Sequence, residues 1–206
     1  MSEKQGVTVP DVLAILPLRD TVLFPQAVLP LSAGRPASLR LVDEAVRAGR
    51  VIGVVTQRDA AEDEPGPRGL HTVGVVTVIH KVAKQSDGTV RLVVQGLSRF
   101  RILEVLQTEP FIKARIEQIP EPSGAPTDLE SEALMRSAVT LFQKIVALSP
   151  MLPDEAASLP ANILQPGALA DVVAAALPTL KTAFKQEVLE TSDVKLRLQK
   201  VVAALT

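Results

Sequence analysis

Short apolar runs rich in β-branched residues dominate about the first 120 positions of the chain, and their period indicates strands. The clearest run is 111–119, where Ile112, Ala114 and Ile116 alternate with charged residues, so we expect these three side chains to point inward. Several other runs are apolar on both faces, which favours a closed or strongly coiled sheet covered by a helix. The predicted strand segments are 12–18, 27–32, 50–58, 71–83, 89–97, 99–107 and 111–119.

A hairpin turn and a helix complete this β-rich part of the chain. Asp87-Gly88 separates two apolar runs, and Gly accepts the positive φ that a tight turn needs, so the dipeptide predicts a hairpin turn. The segment 35–49 predicts the covering helix, because Pro36 suits a first helical turn and Gly49 suits the residue after the last one.

The apolar period changes to a helical one after residue 127. The segment 120–127 contains Pro and Gly without an apolar period, and it predicts a linker between a β-rich lobe at 1–119 and a helical lobe at 128–206. A capping box of Thr127 and Glu130 predicts the start of a long helix. Its predicted buried stripe is Leu134, Ala138, Leu141, Ile145 and Leu148. Shorter helices are predicted at about 154–163, 166–177, 179–190 and 193–205.

Composition and charge exclude several classes of protein. The formal net charge is −1 without a clustered basic patch, which is not the pattern of a nucleic-acid-binding protein. There is no cysteine, which excludes disulfides and cysteine-ligated zinc. No apolar run approaches the roughly 18 residues of a membrane span, and the N-terminus lacks the pattern of a secretory signal. These features predict a soluble, cytoplasmic protein that binds neither nucleic acid nor membrane.

The residues that usually carry catalysis do not form a recognisable constellation. No segment matches the phosphate-binding pattern G-x-x-x-x-G-K followed by Ser or Thr, and no G-x-S-x-G is present. His71 and His80 have no neighbouring carboxylate cluster, so we interpret them as structural strand residues and predict no metal site. Ser98 precedes Arg99 near a glycine, and we interpret it as part of a bend in the strand. We therefore predict no catalytic residue and no cofactor in this chain.

Recognition of another molecule is the class of function that remains. Two stretches carry apolar residues where loops are predicted, and such loops often form binding sites on a rigid scaffold. One is Leu23-Phe24-Pro25, between the first two predicted strands. The other is the turn that contains Met151 and Leu152. Each stretch is either a contact for a bound partner or a plug that packs into the core, and the residues alone do not decide between these alternatives.

Three segments together resemble a known family. The segment 16–46 contains, in this order, P-L-R-D, V, F-P, P-L, G-R and S. The segment 86–102 contains D-G-T, G, R and I. The segment 182–201 contains K-Q-E, L-E, D and R-L. The chain thereby resembles the substrate-binding (LON) domain at the N-terminus of Lon proteases over almost its whole length. The residues that carry the resemblance are Pro17-Leu18-Arg19-Asp20, Val22, Phe24-Pro25, Pro30-Leu31, Gly34-Arg35, Ser38, Asp87, Gly88, Thr89, Gly96, Arg99, Ile102, Lys185-Gln186-Glu187, Leu189-Glu190, Asp193 and Arg197-Leu198.

The resemblance implies both a fold and a role. The implied fold is α+β, with an N-terminal six-stranded, barrel-like β lobe that carries one packed helix, followed by a C-terminal α-helical bundle lobe. The implied role is non-catalytic: the domain captures unfolded or degron-bearing proteins and helps to hold a hexamer together. In the family an ATPase module of the AAA+ class, which uses ATP and magnesium, and a Ser-Lys protease module follow. We expect this chain to be an N-terminal fragment of such a protease; the alternative is a stand-alone adaptor or small-ligand-binding protein.

Overall fold

The computed structural model describes residues 8–122 and 128–206. These residues form six strands and five α-helices, in the order of a β-rich lobe followed by a helical lobe. The strands are β1 Val12–Leu18, β2 Val28–Ala33, β3 Val51–Thr56, β4 Val73–Lys84, β5 Val90–Gln107 and β6 Lys113–Ile119. The helices are α1 Pro36–Arg47, α2 Leu129–Leu148, α3 Pro166–Ala176, α4 Thr182–Glu190 and α5 Val194–Ala204.

The sheet closes on itself because β6 pairs with both β1 and β5. β1 runs parallel to β3, and the remaining pairs from β3 through β4, β5 and β6 back to β1 are antiparallel. β2 adds to the first half of β5, outside this closed ring. The α+β fold with a six-stranded, barrel-like lobe and a helical lobe is therefore confirmed.

One long strand replaces the two strands predicted at 89–97 and 99–107. β5 runs through both segments, and its pairing changes from β2 at residues 90–95 to β6 at residues 99–107. Gly96 stands at the change of partner, where an added Cβ would collide with the Phe24 carbonyl oxygen. The strand bends through irregularities in its pairing with β4 instead of ending.

Two features of the predicted helical lobe differ in the structure. The side chain of Asp128 caps α2 by accepting a hydrogen bond from the Ser131 N–H at 3.0 Å; the predicted capping residue Thr127 lies outside the described residues. The helix predicted at about 154–163 is reduced to a 3₁₀ turn at Asp154–Ser158, because Pro153 precedes it and Pro160 follows it closely. Of the predicted linker 120–127, the structure describes residues 120–122.

The two lobes share one hydrophobic cluster. This cluster contains Phe24 and Val75 from the barrel as well as Phe142 and Val188 from the helices. A second cluster, centred on Phe100, fills the barrel between β1, β4, β5 and β6. Within the helical lobe, α5 packs against α2 and α3. No helix among the described residues has the length and apolar character that crossing a membrane requires.

Candidate functional site

The Leu23-Phe24-Pro25 stretch packs into the molecule. Leu23 and Phe24 are 2% and 1% exposed, and Pro25 is half-buried. The chain turns tightly here, since the Ala27 N–H donates to the Phe24 carbonyl at 3.2 Å. Gln26 adopts a positive φ of 65° and donates its N–H to the Gly96 carbonyl at 2.9 Å. Of the two alternatives for this stretch, the structure shows core packing for Leu23 and Phe24.

The second predicted stretch divides between surface and core. Met151 is 71% exposed, whereas Leu152 is half-buried and packs against the hydrophobic cluster that the two lobes share. The turn is ordered locally by Ser149, whose hydroxyl oxygen accepts a hydrogen bond from the Met151 N–H at 3.3 Å. The Met151 side chain is therefore accessible to solvent, and Leu152 anchors the turn to the hydrophobic cluster.

Other exposed apolar residues lie close to Met151 along the chain. Leu148 ends α2 and is 85% exposed, Leu164 precedes α3 and is 74% exposed, and Leu159 is also exposed. We call these four residues, Leu148, Met151, Leu159 and Leu164, the 148–164 surface. Leu148 lies on the last turn of α2. The prolines that follow interrupt the helices and leave short turns, which carry the other three side chains outside the core.

Sequence reasoning missed most of the 148–164 surface. Leu148 was predicted to lie in the buried stripe of α2, but the buried residues of that helix are centred on Ala138, Phe142 and Val146. The prediction was wrong for Leu148 because this last residue of α2 follows Val146 by two positions, which places its side chain on the opposite side of the helix from Val146 and the buried face. A signal for Leu159 and Leu164 exists in the sequence, since both are large apolar residues between closely spaced prolines.

Two of the cavities in the structure lie beside the end of β1. The first has a volume of about 370 Å³ and lies between the end of β1, the start of α1 and the loop before β6. Five prolines line it, namely Pro17, Pro36, Pro65, Pro67 and Pro110, together with the ring of Phe111. We call it the proline-lined cavity. The second, of about 570 Å³, lies between residues 16–21 and 30–35. Concave apolar sites of this size are typical of ligand pockets.

Two arginines at these cavities have hydrogen-bond partners. Arg19 donates to Asp63 at 2.6 Å, and Arg35 donates to the side-chain oxygen of the buried Gln57 at 2.9 Å. Gln57 in turn donates to the carbonyl oxygens of Asp59 and Glu62, which fixes the acidic loop beside the cavity. Partial burial lowers the pKa of Arg35, and the nearby positive charge of Arg19 lowers it further. The lining of the proline-lined cavity contains Arg35 and Arg40 as well as Glu64 and Glu109, so its formal charges balance.

The polar residues considered for catalysis have structural partners. The Ser98 hydroxyl donates to the side-chain oxygen of Gln118 at 3.2 Å, so its partner is an amide and not a base. His71 Nδ1 lies 3.1 Å from a carboxylate oxygen of Glu190, and His80 Nε2 lies 2.8 Å from Gln95 Oε1. In the parts of the chain that the structure describes, no group of three His, Cys, Asp or Glu residues is placed to hold a metal ion.

The turn residues predicted between β4 and β5 lie where the strands reverse. Gly88 has a φ of +84°, in the left-handed region that favours glycine. A carboxylate oxygen of Asp87 accepts hydrogen bonds from the Thr89 N–H at 2.9 Å and the Thr89 hydroxyl at 2.7 Å. These bonds lower the pKa of Asp87, because they stabilise its charged form.

Comparison with known proteins links this arrangement to one family. The family model of the ATP-dependent protease La (LON) substrate-binding domain matches residues 12–206. A Lon protease from Koribacter versatilis is 46% identical over 189 residues, which cover 92% of this chain and 23% of that protein. A Lon protease from Dictyoglomus thermophilum is 44% identical over 202 residues, covering 98% of this chain and 25% of that protein. The chain thus spans about a quarter of the length of these relatives.

Two solved structures share the fold at low sequence identity. The N-terminal domain of a Mycobacterium avium complex Lon protease has a TM-score of 0.74 at 22% identity, and the match covers 94% of this chain and 97% of that one. The Lon N-terminal domain protein from Xanthomonas campestris has a TM-score of 0.68 at 21% identity, with 93% and 97% covered. Both matches extend over the barrel and the helical lobe together.

Proposed function

Because the chain belongs to the family of LON substrate-binding domains, we propose that it is a non-catalytic recognition domain that captures unfolded, damaged or degron-bearing proteins. The proposal includes a parent protein: a cytoplasmic, hexameric, ATP-dependent protease. In that parent, ATP and Mg²⁺ bind a separate AAA+ module and a Ser-Lys site cuts the client. This chain contributes the first contact with the client and part of the hexamer assembly.

The observation that carries the proposal is the 148–164 surface. Large apolar side chains are exposed there, such as Leu148 at the end of α2 and Met151 in the turn that follows. A folded client hides its apolar side chains, whereas an unfolded one presents them, so contact through this surface distinguishes the two states. Full burial of one such side chain contributes about 1.5–3 kcal/mol before ordering costs are subtracted. Binding to one copy is therefore weak, and several copies in one assembly strengthen it through effective concentration.

The proline-lined cavity supports a second contact for the same client. Its volume of about 370 Å³ is large enough for a bulky apolar side chain. Proline rings and Phe111 form walls that lose little side-chain entropy on binding. An extended client chain would insert one apolar side chain into this cavity.

The same cavity also favours an alternative function, a stand-alone adaptor or small-ligand-binding protein. A concave pocket bordered by Arg35 and Arg40 is the feature that such a protein needs. The two functions differ in what competes for the cavity. Tight binding of a small apolar ligand, measured by calorimetry, would favour the alternative if the ligand leaves client binding unchanged.

The test compares one client in two states. We would label a protein that is kept unfolded by reduction and alkylation, and measure its binding to the chain by fluorescence anisotropy beside that of its native form. The double variant Leu148→Ser/Met151→Ser should weaken binding of the unfolded form about tenfold, because two exposed apolar contacts are lost. The matched control is Leu103→Ser, which removes an exposed leucine from the barrel. Equal affinity for native and unfolded client, or equal weakening by the control, would contradict the proposal.

A further inference from the structure

The buried side chain of Arg99 extends from the barrel into the helical lobe. Arg99 lies on β5, and its Nη2 donates to Asp171 Oδ1 on α3 at 2.6 Å. Its Nε donates to the carbonyl oxygen of Leu189 on α4 at 2.9 Å. Its Nη1 donates to Glu121 Oε2 at 3.2 Å. One barrel residue thus binds two helices and the segment that follows β6.

A second buried arginine reaches the same carboxylates from the opposite side. Arg197 on α5 donates from Nη1 and Nη2 to the two carboxylate oxygens of Glu121, at 2.6 and 3.2 Å. Its Nε donates to the carbonyl oxygen of Thr191 at 2.8 Å, and its Nη1 lies 3.6 Å from Asp171. We call Arg99, Glu121, Asp171 and Arg197 the ion cluster. It contains two positive and two negative groups, so its charges balance.

The surroundings of the ion cluster are shaped to hold it. Gly167, at the start of α3, leaves space that a Cβ would fill, since such an atom would collide with Glu121 and lie 3.1 Å from Arg197 Nη1. Asp171 is buried, and this burial raises its pKa, while the charge of Arg99 opposes the shift. Buried charges are tolerated only when they are paired and hydrogen-bonded, and each member here has such partners.

We propose that the ion cluster holds the helical lobe against the barrel in one orientation, so that the two lobes open and unfold as a single unit. An apolar contact alone would let one lobe slide against the other. Bidentate arginine–carboxylate bonds fix both the distance and the direction between the bonded groups. Two further bonds between the lobes fit the same orientation. Gln186 donates to the Val73 carbonyl oxygen at 3.0 Å, and the Thr182 hydroxyl donates to the Asp20 carbonyl oxygen at 3.1 Å.

Glu121 is the member to change, because its side chain is 35% exposed and it lies outside the helices and strands. Glu121→Gln leaves the two buried guanidinium groups facing one carboxylate. Removing one partner of a buried charge is destabilising, but less than for a fully buried pair, because Glu121 is partly exposed to solvent. If the ion cluster holds the lobes together, the substitution should make the helical lobe open more often and should affect the barrel less. Glu121→Asp keeps the charge but shortens its reach, and it should give the same pattern with a smaller effect.

Amide hydrogen exchange of the whole chain reads out this difference lobe by lobe. In the unchanged protein we expect the slowest amides of α3, α5, β4 and β5 to share one opening rate. In Glu121→Gln we expect α3 and α5 to exchange about a hundredfold faster, with a much smaller change in β4 and β5, and in Glu121→Asp about tenfold faster. The matched control Glu187→Gln, which removes a surface pair with Lys200 in the same lobe, should change neither lobe. Equal acceleration in both lobes, or none in either, would overturn the proposal.

Discussion

Replacement of Phe24 by alanine tests whether this residue belongs to the core, as its 1% exposure indicates. The ring packs in the cluster that includes residues of both lobes, and the chain turns tightly behind it at Gln26. Phe→Ala substitutions at fully buried sites cost about 3–5 kcal/mol, because the lost transfer energy is joined by the cost of a cavity. Since whole domains are stable by about 5–15 kcal/mol, Phe24→Ala should remove a large share of the free energy of unfolding.

Urea unfolding at 25 °C, followed by circular dichroism, measures this loss directly. The matched control is Phe24→Leu, which keeps most of the apolar volume and should cost less than about 1.5 kcal/mol. A Phe24→Ala variant that is as stable as the unchanged chain but no longer binds an unfolded client would contradict the assignment of Phe24 to the core. That result would make Phe24 a client contact that moves out of the core on binding.

Three further predictions concern stability at single positions. Gly74→Ala should cost about 1–3 kcal/mol in urea unfolding, because a Cβ there would collide with the Val54 carbonyl oxygen and lie 2.6 Å from Val55 Cγ2; an unchanged midpoint would contradict it. Gly88→Ala has open space but a φ of +84°, so we expect only backbone strain of about 1 kcal/mol, and a larger loss would indicate an unseen contact. Hydrogen bonds from Ser131 lower the pKa of Asp128 from 3.8 to about 2. Its stabilising contribution is therefore complete above pH 3.8 and lost as the pH falls through about 2, and a carboxyl titration by NMR that gives an ordinary pKa would refute this.

Local patterns predicted the strands well where one face of the strand is buried and the other is exposed to solvent. Ile112, Ala114 and Ile116 are all buried, as their alternation with charged residues indicated. The division of β5 into two strands was wrong because the change of partner from β2 to β6 is a tertiary event. The sequence Gly96-Leu97-Ser98 looks like a strand end, whereas here Gly96 provides room for a neighbouring carbonyl.

The candidate site was harder to predict, because exposure depends on which face of an element is covered. Leu148 carries the same apolar signal as the buried residues of α2, but it is 85% exposed, because the face of α2 that packs into the core is centred on Ala138, Phe142 and Val146. In the sequence, Arg99 and Arg197 of the ion cluster stand out only as positions that match the family. Arg99 and Arg197 are fully buried, yet arginine is usually exposed, so no local pattern indicates their role.

The measurement that tests recognition most directly is an NMR titration of the isotope-labelled chain with an unfolded protein and, separately, with the native form of the same protein. We predict that the unfolded form shifts the amide resonances of residues around Leu148, Met151 and Leu164, and that the native form at the same concentration leaves them unchanged. Identical shifts with both forms, or shifts that spare the 148–164 surface entirely, would contradict the account.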